Sequence, residues 1–469
     1  VIAGGRVPDP GAVGDRAVGD LGAEAARALL GDLLRDTHRA GAAVEAAFRA
    51  VPRHVFLPEM APEQSYQDEA FVIKHGADGL PVSSSSQPAI MAIMLEQLGL
   101  APGQRVLEIG AGTGYNAALI AHIVGDQESV VTVDIDEEIV SRARASLAAA
   151  GYGGVRVSCG DGGLGVPEHA PYDRIIVTAG AWDLAPGWLA QLAPGGRIVL
   201  PLSVRGIHLS VALERAADHW ASTSACRCGF IRMAGAFAGP ESFVPVVGQP
   251  GLYVLADGGQ AADPGALPAL LPAALAGDAT DVPTELRADG MREIADLDLW
   301  LTLTESRLTR LTVVGTRGRR TGVAELVPLG GLAGLVGMTG ELGVATLVPG
   351  RVESRGAAES SPVVLRGFGP GGAYLAGYLA RQAIAWDKLG RPGASTVRLR
   401  AYPRGPQAGT QADPEAQAGP GAPAGPGARA GPGAPAGPGA GAQAGGAAST
   451  AAVILDRQHA RLVLDWPTF

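Results

Sequence analysis

The run Glu108-Ile109-Gly110-Ala111-Gly112-Thr113-Gly114 is the stretch of this sequence best suited to holding a ligand. Glycine has no Cβ, so a loop with glycine at alternate positions lets its backbone approach a bound molecule closely. In a chain with 69 glycines such a spacing also arises by chance. Its context here is more specific. The apolar strand-like run Gln104 to Ile109 leads into it, and a helical pattern through Ala117, Leu119, Ile120 and Ile123 follows. An acid, Asp134, closes the next apolar run 24 positions after Gly110. A carboxylate at that place suits a ribose diol. Nicotinamide-binding loops carry Gly-x-Gly-x-x-Gly, and here the third glycine arrives one residue early. Glu108, two residues before the first glycine, suits the cationic methionine end of a cofactor. Asp161 in Gly160-Asp161-Gly162 suits an adenine amino group. Glu108, Gly110, Gly112, Gly114, Asp134, Asp161 and Gly162 together point to S-adenosyl-L-methionine. Plain sheet-edge turns and a dinucleotide site are the competing readings.

These residues need strands to carry them. Val130 to Val133, Val155 to Val157, Arg174 to Val177 and Arg197 to Leu200 read as further buried strands, with helices between, the clearest from Glu137 to Ala150. Alternation at this spacing predicts an α/β fold: a doubly wound, mostly parallel Rossmann-like sheet of the class I methyltransferase type. Ahead of it, Leu29, Leu30, Leu33 and Leu34 share a helix face. A second helix through Val44, Ala47 and Phe48 stops at Val51-Pro52, because proline restricts the residue before it. A further helix starts at Gln87 and runs to Leu98.

Beyond residue 238 the patterns weaken, and a second, smaller α+β C-terminal domain is expected. Leu297, Leu299, Leu301 and Leu303 alternate with other residues and predict a half-buried strand. Tyr374 to Trp386 predicts an amphipathic helix, and Val397 to Ala401 another strand. Residues from about 405 to 448 are almost wholly Gly, Pro, Ala and Gln without a collagen period, a composition that cannot bury enough apolar area to order itself. Strand-like segments resume at Val453 and Arg461. The expected division is a loose tail over 1–18, a methyltransferase domain over 19–238, and an accessory domain over 239–469 in which 405–448 is a swollen loop.

The formal charge of −9 argues against general binding to nucleic acid or anionic membranes. Cys159, Cys226 and Cys228 are too few for a disulfide framework or a four-ligand zinc site, so reduced thiols in the cytoplasm and no metal are expected. No apolar run is long enough to span a membrane. The N-terminus lacks the order of a signal peptide; since it begins with Val1, a missing or processed start is expected.

The chain carries further motifs: Ala50-Val51-Pro52-Arg53-His54, Tyr66-x-Asp68, Ser86-Gln87-Pro88, Gly160-Asp161-Gly162, Tyr172-Asp173-Arg174-Ile175-Ile176-Val177-Thr178-Ala179 and Gly195-Gly196-Arg197. With the glycine loop, they make residues 21–235 resemble the protein-L-isoaspartate O-methyltransferases. The resemblance implies methyl transfer to an isoaspartyl or aspartyl carboxylate of a protein or peptide, the ester then closing to a succinimide. It implies an active-site role for Ser86, with Ser85, Gln87 and Asp68 meeting the acceptor; the alternative reading is that Ser86 only caps the helix that follows. His54 is open to acid–base chemistry or to packing, and Tyr66 and Asp68 to shaping the entry loop. Arg317, Arg319 and Arg320 suit an acidic peptide or a solvated turn. The family usually has Gly-Gln-Thr-Ile-Ser before the proline, where this chain has Leu80-Pro81-Val82-Ser83-Ser84-Ser85-Ser86. With the long C-terminal part, that resembles actinobacterial relatives that tailor ribosomally made peptides at ordinary aspartate. A precursor peptide would then be recognised by the C-terminal domain. Repair of isoaspartyl proteins, peptide maturation and a non-catalytic cofactor-binding scaffold are the functions left open.

Overall fold

The computed structural model describes residues 22–248, 252–256, 272, 278–305, 310–313, 344–349, 360–404 and 452–466. The expected tail over 1–18, the insert over 405–448 and Arg317, Arg319 and Arg320 lie outside them.

The chain enters through α1 (Ala23–His38) and α2 (Ala42–Ala50), which stops before Pro52. Leu30 and Leu34 of α1 are buried, whereas Leu29 is exposed. A short hairpin follows, β1 (Phe71–His75) and β2 (Pro81–Ser85), with Phe71 opposite Ser85 and Val72 opposite Ser84. Helix α3 spans Pro88–Leu98, one residue later than the sequence predicts, with Gln87 as its N-cap. Then come β3 (Val106–Ile109), α4 (Tyr115–Val124), β4 (Val130–Asp134), α5 (Glu137–Ala149), β5 (Arg156–Cys159), β6 (Tyr172–Val177), α6 (Pro186–Gln191) and β7 (Leu192–Val204). Helix α5 starts cleanly because the Asp136 side chain accepts from the Glu138 and Ile139 amides, satisfying donors that a helix start leaves unpaired.

Strands β5, β4, β3, β6 and β7 lie side by side in that order and run parallel. The order reverses between β3 and β6, and such a reversal opens a crevice at the carboxyl ends of the strands. Every β3 side chain is buried, as expected for a parallel strand covered on both faces. Two long strands, β8 (Ile207–Arg215) and β9 (Trp220–Cys228), continue the sheet as an antiparallel meander from β7. The local patterns had not indicated them.

The chain then leaves this sheet. Strand β11 (Leu252–Ala256) pairs with β10 (Ser242–Pro245) on one side and β13 (Arg310–Val313) on the other, all antiparallel. Strands β12 (Ala279–Asp289), β14 (Val344–Pro349) and β15 (Ser360–Phe368) form another antiparallel sheet. Helices α7 (Met291–Thr304) and α8 (Gly372–Lys388) pack against it. Helix α7 corrects the expected strand over Leu297–Leu303. All four leucines are buried, but so are Asp298, Trp300 and Thr302 between them. A helix buried all round has no polar face, so its leucine spacing carries no period. Asp298 is tolerated there because Arg227 and Arg310 donate to it at 2.8 and 3.1 Å.

The last strands return to the main sheet. β16 (Arg398–Pro403) pairs with β9, and β18 (Ala460–Asp465) lies between β16 and β17 (Val453–Asp456). The sheet therefore crosses the boundary expected at 238/239, and 405–448 falls between β16 and β17, two of its strands that have β18 between them. One hydrophobic core runs through both parts, joining Ile175, Leu200 and Leu213 to Leu297, Leu379 and Leu462. Among the described residues no helix is long and apolar enough to cross a membrane.

Candidate active site

The glycine loop leaves the carboxyl end of β3 at the reversal point. Gly110, Gly112 and Gly114 have φ of 100°, 51° and 86°, conformations that side-chain-bearing residues rarely adopt. The space beside each belongs to the protein. A Cβ on Gly110 would stand 2.5 Å from Thr178 Oγ1 at the end of β6, and one on Gly114 3.1 Å from Leu147 of α5. A Cβ on Gly112 would meet the Ser84 carbonyl at 3.5 Å. That contact brings the serine loop and the glycine loop together, although they are far apart in sequence.

Asp134 ends β4 beside this loop and is partly exposed. Its Oδ2 accepts from the Gly112 amide and its Oδ1 from the Asp136 amide, both at 3.2 Å, and burial raises its pKa. Asp161 follows β5; its Oδ1 accepts from Gly163 N at 2.8 Å and its Oδ2 from Ala236 N at 2.6 Å. A Cβ on Gly162 would lie 2.5 Å from Ile109 Cγ2, so this turn packs directly on β3.

Glu108 sits elsewhere than its position two residues before Gly110 suggests. It is fully buried, and its oxygens accept from Asn116 Nδ2 and Thr132 Oγ1, each at 2.7 Å. It ties β3 to β4 and α4 from inside and does not face the crevice. Burial raises its pKa to about 7. His208 on β8 is the reverse case: burial pulls it down to about 4, and its Nδ1 accepts from the Phe230 amide. Their pH slopes are therefore opposite. A raised carboxyl favours folding fully below its unfolded value of 4.5 and loses that as pH rises to about 7. A depressed imidazole favours folding above 6.5 and loses that as pH falls to about 4. Relative to the wild type, Glu108→Gln should gain stability as pH rises through the first window, and His208→Asn as pH falls through the second. Thermal melts across a pH series check both.

The serine loop is held from behind. Ser85 is 3% exposed and lies near Arg53, so it cannot meet an acceptor directly as expected. Ser86 is partly exposed, and among the described residues its Oγ makes no hydrogen bond. Nor does it cap α3. That task falls to Asp68, whose Oδ1 accepts from Ala89 N at 2.8 Å while its Oδ2 accepts from Gln87 Nε2 at 2.9 Å. Asp68 and Gln87 thus pair with each other under the loop. His54 and Tyr66 also pair, with His54 Nδ1 2.8 Å from the Tyr66 hydroxyl. All three cysteines are free, and burial raises Cys226 to about 11.

A family model described as protein-L-isoaspartate(D-aspartate) O-methyltransferase matches residues 24–236. A protein-L-isoaspartate O-methyltransferase of Hyperthermus butylicus is 37% identical over 227 residues, 46% of this chain and 92% of that protein. The chain belongs to this family. A protein-L-isoaspartate O-methyltransferase of Thermotoga maritima is 43% identical over 159 residues, 34% of this chain; the chain spans 50% of that relative's length. A solved protein-L-isoaspartate O-methyltransferase is 23% identical, with 80% of this chain and 96% of that one covered at a TM-score of 0.43.

For a member of the protein-L-isoaspartate O-methyltransferase family, three features of this site have no local sequence signal. Arg53 is fully buried, and its guanidinium donates to the carbonyls of Ser86 at 2.9 Å and of Gln67 and Glu69 at 3.2 Å. It lies over the rings of Phe71 and Tyr115, and among the described residues no carboxylate is within ion-pair reach. Burial lowers it to about 10, so it stays charged at neutral pH. Ile135 and Leu164, 48% and 60% exposed, stand beside Asp134 and Gly163 as apolar surfaces that a flat base would cover. Lys74 on β1 reaches Asp136 at 2.7 Å and Glu138 at 2.6 Å, latching the hairpin to the start of α5. Both partners are solvent-accessible, so Lys74→Met should lower kcat/KM only about two- to fivefold. The wild type should lose the same increment in high salt, which a kcat/KM series against NaCl reads.

Proposed function

We propose that this chain uses S-adenosyl-L-methionine to esterify the side-chain carboxylate of isoaspartyl residues in proteins or peptides. The contact of the serine loop with the glycine loop at Ser84 and Gly112 carries this reading, because it sets an acceptor-side hydroxyl loop against a cofactor-side loop. The residues fit the cofactor. Asp134 offers a partly exposed carboxylate to a ribose diol, Asp161 keeps acceptor capacity beyond its two backbone donors, and Ile135 and Leu164 suit the faces of an adenine. When bound, S-adenosyl-L-methionine supplies a methyl group on a positively charged sulfur, with a neutral thioether as leaving group.

The protein's own residues have little acid–base work to do. A carboxyl group with a reference pKa of about 4 is already ionised at neutral pH and can attack without a general base. What accelerates such a displacement is alignment of oxygen, carbon and sulfur. Ser86, with its hydroxyl uncommitted and its carbonyl fixed by Arg53, is suited to orient the acceptor oxygen by hydrogen bonding. The new bond is carboxylate oxygen to methyl carbon, the broken bond is carbon to sulfur, and no proton moves. The product ester then closes by attack of the neighbouring backbone nitrogen, releasing methanol and leaving a succinimide that water opens.

The test is incubation with methyl-labelled cofactor and two peptides that differ only in carrying aspartate or isoaspartate at one position. Label should enter the isoaspartyl peptide. Label in the aspartyl peptide alone would overturn this reading in favour of peptide maturation, with a precursor recognised by the C-terminal part.

A further inference from the structure

The turn between β17 and β18 reaches the cofactor edge of the sheet. His459 donates its amide to Asp183 Oδ2 at 2.6 Å, just after β6. Two residues earlier, Arg457 is buried, with its guanidinium 3.8 Å from the Trp182 ring centre and Nη2 donating to the Ser203 carbonyl at 3.2 Å. The His459 ring packs on Phe237 with centroids 5.1 Å apart. Phe237 closes on the turn after β5: a Cβ on Gly163 would collide with the Phe237 ring. Phe237 also meets Trp188, with ring centroids 6.5 Å apart, and Trp188 Nε1 donates to the Gly162 carbonyl at 2.8 Å. The residue before it, Ala236, donates to Asp161. Residues Asp161 to Gly163 are thus backed by Phe237 and Trp188, and Phe237 is backed by His459.

The family match ends at residue 236, so this last support comes from the part of the chain that the family model does not reach. We propose that the turn Arg457–His459 is a positioning element of the cofactor site: it holds Phe237, and through it Asp161 and Gly163, in the geometry that binds S-adenosyl-L-methionine. This rests on the reading above that Asp161 faces the cofactor. The C-terminal part then sets cofactor affinity, whatever it does for the acceptor. The reason is mechanical. The turn after β5 has glycine at 160, 162 and 163 and little stiffness of its own, so its conformation is imposed by what packs behind it.

The experiment is calorimetric binding of S-adenosylhomocysteine to the full chain. His459→Ala should raise Kd about three- to tenfold, the size of one lost ring–ring contact, with the peptide KM unchanged. His459→Phe, which keeps a ring against Phe237, should restore Kd to within about twofold. Phe237→Leu combined with His459→Ala should bind no worse than the weaker single variant, since both break one contact. Ile454→Ser, at an exposed position of the same hairpin, should leave Kd unchanged. An unchanged Kd in His459→Ala, additive losses in the double variant, or an equal loss in Ile454→Ser would each overturn the proposal. Failure of the wild type to bind S-adenosylhomocysteine would instead sink the cofactor reading, and this inference with it.

Discussion

Replacing Arg53 by methionine should lower kcat/KM for an isoaspartyl peptide about 100-fold or more, the scale on which a displacement of about 1 Å at a reacting group acts. The guanidinium gathers carbonyls from three places, Gln67, Glu69 and Ser86, and is sandwiched near Phe71 and Tyr115. Methionine fills similar volume but donates nothing, so three acceptors under the loop lose their partner at about 1–3 kcal/mol each where water cannot replace it. Against this stands a relief: a buried guanidinium without a carboxylate is itself costly, and methionine removes that burden. The expected net is a drop of about 2–4 kcal/mol in stability, within the range for breaking one partner of a buried polar network. Arg53→Lys should sit between, because an ammonium cannot fork across several carbonyls. Steady-state kinetics and thermal melts check the pair. S-adenosylhomocysteine affinity should change far less than kcat/KM, since Asp134 and Asp161 are held by the amides of Gly112, Asp136, Gly163 and Ala236 and not by Arg53. Wild-type kcat/KM in Arg53→Met would show that the loop keeps its shape unaided.

Asp134→Ala should weaken S-adenosylhomocysteine binding about 100-fold, as hydrogen bonds to a charged acceptor contribute about 1.5–3 kcal/mol each. The loss has two sources. The ribose diol would lose its carboxylate, and the amides of Gly112 and Asp136 would lose the acceptor that now orders the loop at 3.2 Å. Asp134→Asn, which still presents an acceptor without the charge, should recover part of the affinity. The peptide KM, measured at saturating cofactor, should move little. Unchanged affinity in the alanine variant would remove the ribose from the end of β4.

Much of the cofactor half could be read directly from the chain. The reason is that its determinants are local: β3, the glycine loop and α4 follow one another within twenty residues or so, and Gly110, Gly112 and Gly114 stand where φ is positive. Asp134 falls at a strand end that its own hydrophobic run announces. Where the pattern misled, the cause was burial on all sides. Helix α7 reads as a strand because Asp298 and Trp300 are as hidden as the leucines around them, and only the two arginines that reach Asp298 make that possible.

The acceptor half was settled by tertiary structure. Arg53 stands in the sequence only as part of the motif Ala50-Val51-Pro52-Arg53-His54, and nothing near it says that Ser86, Phe71 and Tyr115 will enclose it. Asp68 caps a helix that begins twenty positions later, and Ser85 turns inward because Arg53 is behind it. Glu108 carries a cofactor-site signature in its spacing, yet Thr132 and Asn116 take both of its oxygens. The return of β16 and β18 to the main sheet, with Leu399 N donating to Ser222 Oγ at 2.9 Å across 177 positions, is likewise beyond any local period. Chain order by itself determined which residues form the glycine loop at the end of β3, because backbone conformation and hydrophobic period are properties of neighbours. Which polar groups end up facing the crevice and which are spent inside was decided only by the tertiary structure, because buried donors and acceptors must find partners wherever the fold supplies them.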